Sequence, residues 1–199
     1  MLIVVILLMA VVRVWNHRGP VRAQPFTGPL AAILLVTVSG LTPAEAGLTL
    51  SGPGYAVGAA LAVAAGYGVV LLVPAGRHAL AARHYPAPVR NAFLGVPLST
   101  VIFEEVAFRG VLWTLIAADH GPGWATASTA VLFGLWHLPD RGEVAFTTLA
   151  GVLLSVLRHL GGGLLAPFVL HWTANGLGIL ASAGLRRSRP GDSGGAGKC

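Results

Sequence analysis

The chain has 199 residues, of which 55% are hydrophobic and only 10% charged, with a mean hydropathy of +0.75. A soluble domain carries about a quarter charged residues, so the composition excludes an ordinary soluble globule and points to an all-α, polytopic transmembrane helix bundle. The formal charge of +6 is spread over separate connections rather than gathered in one patch, which argues against a nucleic-acid partner, and a single cysteine, Cys199, excludes an internal disulfide or a Cys-rich zinc site.

A membrane-crossing helix needs about 20 apolar residues to traverse a hydrocarbon core of about 30 Å. Seven segments are predicted, in chain order. The first, Met1 to Trp15, has no basic residue before its apolar run and no small-residue cleavage site after it, so it reads as a span and not as a secretory signal. Pro29 to Leu41 is the second, and both of these are short for a span. The third, Tyr55 to Pro74, is rich in small residues, and the GxxxG spacing from Gly54 to Gly58 predicts close packing against neighbouring helices, the more expected use, or against a second protomer. Arg77, His78, Arg83 and His84 follow in a connection suited to anionic headgroups.

The fourth segment, Asn91 to Ala118, contains "FEEVAFRG" at 103–110, where three charges interrupt an apolar run. The fifth, Trp124 to Pro139, ends "VLFGLWHLP"; the sixth is Val144 to Leu157; the last, Leu164 to Ala183, contains "FVLHWTANG". Asp119 with His120, and His159 beside Arg158, fall in short exterior turns and are read as solvated. The "GGGLLA" run at Gly161 to Ala166 is better read as a turn leading a helix than as a dinucleotide loop. Three regions follow: N-terminal transmembrane helices over 1–90, a helical core over 91–185, and a Gly- and Ser-rich disordered tail over 186–199.

The basic residues set the orientation. Arg13, Arg18 and Arg22 lie in the first connection, Arg77, Arg83 and Arg90 in the third, Arg141 in the fifth, and Arg186, Arg187, Arg189 and Lys198 in the tail; the opposite side has Arg158 alone. By the positive-inside rule the N-terminus is outside and the tail cytoplasmic. The alternation itself supports about seven spans.

Ionisable side chains inside a bilayer are costly unless paired or hydrated, so they mark a site. Here they are Glu104, Glu105, Arg109, His137 and His171, joined by the polar Asn175. Glu105 and Arg109 stand four apart with the carboxylate on the N-terminal side, the favoured order for a helical ion pair. Glu104 is rotated by about 100° from its neighbour and is the carboxylate left for chemistry. Phe133 and His137 share one helix face, as do His171 and Asn175. Three helices thus bring polar groups toward a possible common cavity, where a glutamate, two histidines and an asparagine would suit water activation and oxyanion stabilisation. The segment limits place His137 and His171 at different depths, so tilt or shifted boundaries must bring them level. Neither HExxH nor GxSxG occurs.

The set EExxxR at Glu104, Glu105 and Arg109, FxxxH at Phe133 and His137, and HxxxN at His171 and Asn175 resembles the three motifs of the type II CAAX-prenyl endopeptidase and bacteriocin-processing (CPBP) family, in the family's order. The resemblance implies an intramembrane endopeptidase of a bacterial plasma membrane. Glu104, helped by His137, would activate water, His171 and Asn175 would hold the oxyanion, and Glu105 and Arg109 would support the geometry. It leaves the cofactor open between a metal-free glutamate mechanism, which is favoured, and a zinc ion on the glutamate and histidines. The partners implied are a peptide or membrane-protein substrate and the lipid bilayer. The competing readings are a non-enzymatic peptide-binding or immunity protein and a proton-coupled transporter. Absence of inverted repeats counts against the transporter.

Overall fold

The computed structural model describes residues 1–139 and 141–188. Among them every regular element is helical and none is a strand. Helix α1 is Leu2–Arg18, α2 is Gln24–Ser39 and α3 is Pro53–Leu72. The short α4, Pro74–Ala81, follows. Helix α5 runs over 88–120, α6 over 122–135, α7 is Arg141–Gly161 and α8 is Leu165–Arg187. Prolines open several of them, as at Pro53, Pro74 and Pro88, where the missing N–H has no helical partner to lose. Between α5 and α6 the backbone breaks at Gly121, whose φ of +82° only glycine adopts without strain.

Seven long helices therefore follow the seven predicted segments in order. By length and composition, four stretches are long and apolar enough to cross a membrane: Val21–Ser39, Pro53–Leu72, Arg141–Gly161 and Leu165–Arg187. Of the seven expected spans, these four are supported on that ground. Helix α1 is shorter, at 17 residues, α5 is interrupted by three charges and α6 is cut short at Gly121. The expected tail beyond Ser188, Cys199 included, lies outside the described residues.

One apolar core joins the first and second halves of the chain. Val5, Met9 and Val12 of α1 and Leu35 of α2 pack with Phe103, Phe108 and Leu112 of α5, Phe133 of α6 and Leu154 of α7. Helices α6 and α7 approach closely where Gly151 faces the backbone of Ala130, and beside that crossing the buried hydroxyls of Thr129 and Ser155 lie 3.3 Å apart.

Two expectations need correction. Arg158 is not solvated: it is 7% exposed, its Nε donates to the Arg109 carbonyl at 3.2 Å, its Nη2 donates to the Glu45 carbonyl at 3.1 Å, and its guanidinium lies 5.3 Å from the Trp113 ring. A strongly hydrated lysine would suit such a place poorly, whereas a guanidinium spreads its charge over several carbonyls and an aromatic face. His159 beside it is exposed, as expected. The second correction concerns packing within the bundle at Gly54 and Gly58: a side chain at either would meet nothing within 4 Å among the described residues. Helix α3 packs on α8 through a different face, where the Tyr67 hydroxyl donates to the Ala174 carbonyl at 2.8 Å.

The connection between α2 and α3 is strapped across the end of the α7–α8 hairpin. Gly47 accepts the Leu164 N–H at 2.7 Å, its φ is +75°, and a side chain there would strike the Arg158 guanidinium. Within the same connection the Thr42 N–H and hydroxyl both donate to Glu45 Oε2 at 2.7 Å, a capping arrangement that lowers the Glu45 carboxyl from its ordinary value.

Candidate active site

Helix α5 carries the site and is wound unusually. Over 91–95, 97–101 and 105–112 its turns are those of a π-helix, a widened form that recurs at functional sites. Pro97 has no N–H to give to the Ala92 carbonyl, the acceptor that an i→i+5 pattern assigns to residue 97. The Trp172 indole fills the vacancy: its Nε1–H donates to that carbonyl at 2.8 Å. Trp172 follows His171 directly, so this bond also registers α8 against α5.

In the middle of the bundle Glu105 and Arg109 form the i, i+4 pair that their spacing suggested. Glu105 Oε1 lies 3.3 Å from Arg109 Nη1, with the two residues 1% and 0% exposed. The same oxygen accepts a 2.7 Å bond from His171 Nδ1. That second bond was not foreseen. It fixes the imidazole tautomer, since an Nδ1–H directed at a carboxylate leaves Nε2 to face the other way.

Nε2 faces Glu104. Its distance to Glu104 Oε2 is 3.9 Å, beyond a direct hydrogen bond and suited to one bridging group. Glu104 Oε2 is buried and makes no hydrogen bond among the described residues. His137 reaches the same place from the turn after α6. Its Nδ1 is bonded to the Phe133 carbonyl at 2.8 Å, which again leaves Nε2 open. Glu104 and His137 line one cavity of about 390 Å³ together with Arg13, Asn16, His17 and Gln24.

One ring organises the group. The Arg109 guanidinium lies 4.0 Å from the centroid of Phe133, and the His137 and His171 rings meet it edge-on at 4.9 and 6.0 Å. The difference in depth read from the segment limits therefore closes. Helix α6 ends at Leu135, so His137 lies beyond it, and His171 falls in the second turn of α8, both within reach of Phe133.

Five of the six sequence-predicted residues thus gather: Glu104, Glu105, Arg109 and His171 by direct approach, and His137 through Phe133 and the shared cavity. Asn175, one turn beyond His171, is exposed and makes no hydrogen bond to the group among the described residues. Sequence reading registered Phe133 only as a neighbour of His137; nothing in its spacing revealed that three helices would close on it. Among the described residues no group of three His, Cys, Asp or Glu side chains is gathered at metal-binding spacing.

Apolar helices of membrane length enclosing a carboxylate and imidazole cluster define an integral membrane protein with a polar site in its core. Residues 87–177 match the family model described as type II CAAX prenyl endopeptidase Rce1-like, the family that the motifs resemble. That span holds every predicted site residue and supports an intramembrane protease in general. Neither the curated proteins nor the solved structures yield a match.

Proposed function

We propose that the protein is an intramembrane endopeptidase in which Glu104 is the general base. The observation that carries this reading is the unbonded Glu104 carboxylate oxygen, 3.9 Å from His171 Nε2 and in the same cavity as His137. A water between these groups loses a proton to Glu104 as its oxygen attacks the peptide carbonyl carbon. The tetrahedral centre forms against the Nε2 edge of His171, which the Nδ1 bond to Glu105 holds toward Glu104. Glu104 then returns the proton to the departing nitrogen as the carbon–nitrogen bond breaks. Glu105 and Arg109 hold His171 through the 2.7 Å bond and the buried ion pair. The substrate is a peptide or membrane-protein segment, and the cavity with the Arg-bearing connections faces the cytoplasm.

The test uses purified protein reconstituted in lipid vesicles and a library of membrane-inserting peptides, with new termini read by mass spectrometry. Glu104→Gln lowers turnover by at least about 100-fold, the scale of a lost general base, while folding is retained. Cleavage at the wild-type rate by Glu104→Gln rejects the proposal. Peptide retained but cleaved by neither protein favours the immunity or binding role.

A further inference from the structure

His137 stands on a turn, not on a helix, and something must hold that turn. The imidazole is anchored locally by the Nδ1 bond to the Phe133 carbonyl, and the turn leaves α6 through one last helical bond, Trp136 N–H to Leu132 at 2.9 Å, and two tighter i→i+3 bonds, His137 N–H to Gly134 at 2.9 Å and Leu138 N–H to Leu135 at 3.2 Å. Both neighbours of His137 are gripped by one side chain from the far end of the sequence. Arg13 of α1 donates from Nη2 to the Leu138 carbonyl at 2.9 Å, and its guanidinium lies 5.2 Å from the Trp136 ring.

Trp136 passes the restraint inward. Its ring lies 6.0 Å from Phe103 and 5.5 Å from Phe108, both buried on α5. Phe103 directly precedes Glu104, as Trp136 directly precedes His137. A stack of Arg13, Trp136 and Phe103 therefore links the two residues, Glu104 and His137, that line the cavity. Arg13 lies outside the matched span 87–177 and lines the same cavity.

We infer that Arg13 is a positioning residue for His137, clamping the 136–139 turn from α1 so that the imidazole faces Glu104. The consequence for its activity rests on the endopeptidase reading; the clamp itself does not. A guanidinium suits the task because it donates to a carbonyl and lies on an aromatic face at once, which an ammonium does less well.

The test separates the two. Full-length protein in lipid vesicles is treated with diethylpyrocarbonate, and the modification rate of each histidine is read by peptide mass spectrometry in wild type, Arg13→Gln and Arg13→Lys. His137 reacts several-fold faster in Arg13→Gln and at an intermediate rate in Arg13→Lys, while His171, held by Glu105, keeps its wild-type rate. An unchanged His137 rate in Arg13→Gln overturns the inference. So does a parallel rise of His171 in Arg13→Lys, which would make Arg13 a general structural residue. On a cleaved peptide, Arg13→Gln lowers kcat by about tenfold or more with KM unchanged, the mark of lost orientation. Absence of cleavage by wild type would defeat the endopeptidase reading and leave the labelling result to decide the clamp.

Discussion

Glu105 and Arg109 form a buried ion pair, and the Glu105 carboxylate also holds His171. Breaking one member of such a pair strands its partner in a low-dielectric interior, which costs about 3–5 kcal/mol. Glu105→Ala and Arg109→Met are each expected to lower stability by that amount in denaturant titrations of the solubilised protein. The double variant should cost less than their sum, because removing both leaves no orphaned charge. Additive losses would show that the two residues do not act as a pair. The i, i+4 spacing made this pair legible in the sequence, since a helix puts such residues on one face whatever surrounds it. The Glu105–His171 bond was not legible, because it joins residues 66 apart and no local rule specifies which imidazole nitrogen meets which carboxylate.

At the scale of the element, sequence located the helices well and their special features poorly. Apolar periodicity and proline positions fix where α3 or α8 begins, but the π-helical winding of α5 follows from tertiary contacts, among them the Trp172 bond at the carbonyl that Pro97 leaves without a donor. Trp172→Phe keeps the ring and removes the N–H. It should cost about 1 kcal/mol, the net worth of one hydrogen bond, and release α8 enough to slow any reaction that needs His171. The GxxxG of α3 illustrates the opposite case: a strong local signal with no close partner among the described residues, while Gly151, in no recognised motif, makes the tight crossing of α6 and α7. Gly151→Leu should therefore destabilise the protein by about 1–3 kcal/mol through overpacking, whereas Gly58→Leu should have little effect on the isolated chain. Equal melting temperatures for the two variants would contradict that assignment.

For the whole molecule, the connections that meet are ones the alternation of basic residues assigns to the same side. Arg13 at the end of α1 touches the 136–139 turn, and the 42–52 connection is tied to the α7–α8 turn at the opposite end. The cavity lies at the first of these ends, lined by Asn16, His17, Gln24 and Ser99, while Arg158 helps to close the other. Cys199 is the only cysteine, so in a Cys199→Ser background Asn16→Cys offers a unique label. A membrane-impermeant maleimide should reach it from the cytoplasmic side and not from outside intact cells. Labelling from outside would invert the orientation drawn from the charges without disturbing the fold.

Phe133 gives three cationic or basic groups a common wall. Their mutual spacing is consequently governed by the thickness and breadth of a benzene ring more than by the crossing angles of the rods that bear them. A tilt of α6 carries Phe133 and His137 together, because the imidazole is bonded to the carbonyl of the residue that bears the ring. A narrower residue there would perturb all three neighbours together, so position 133 acts as a gauge block for the whole assembly.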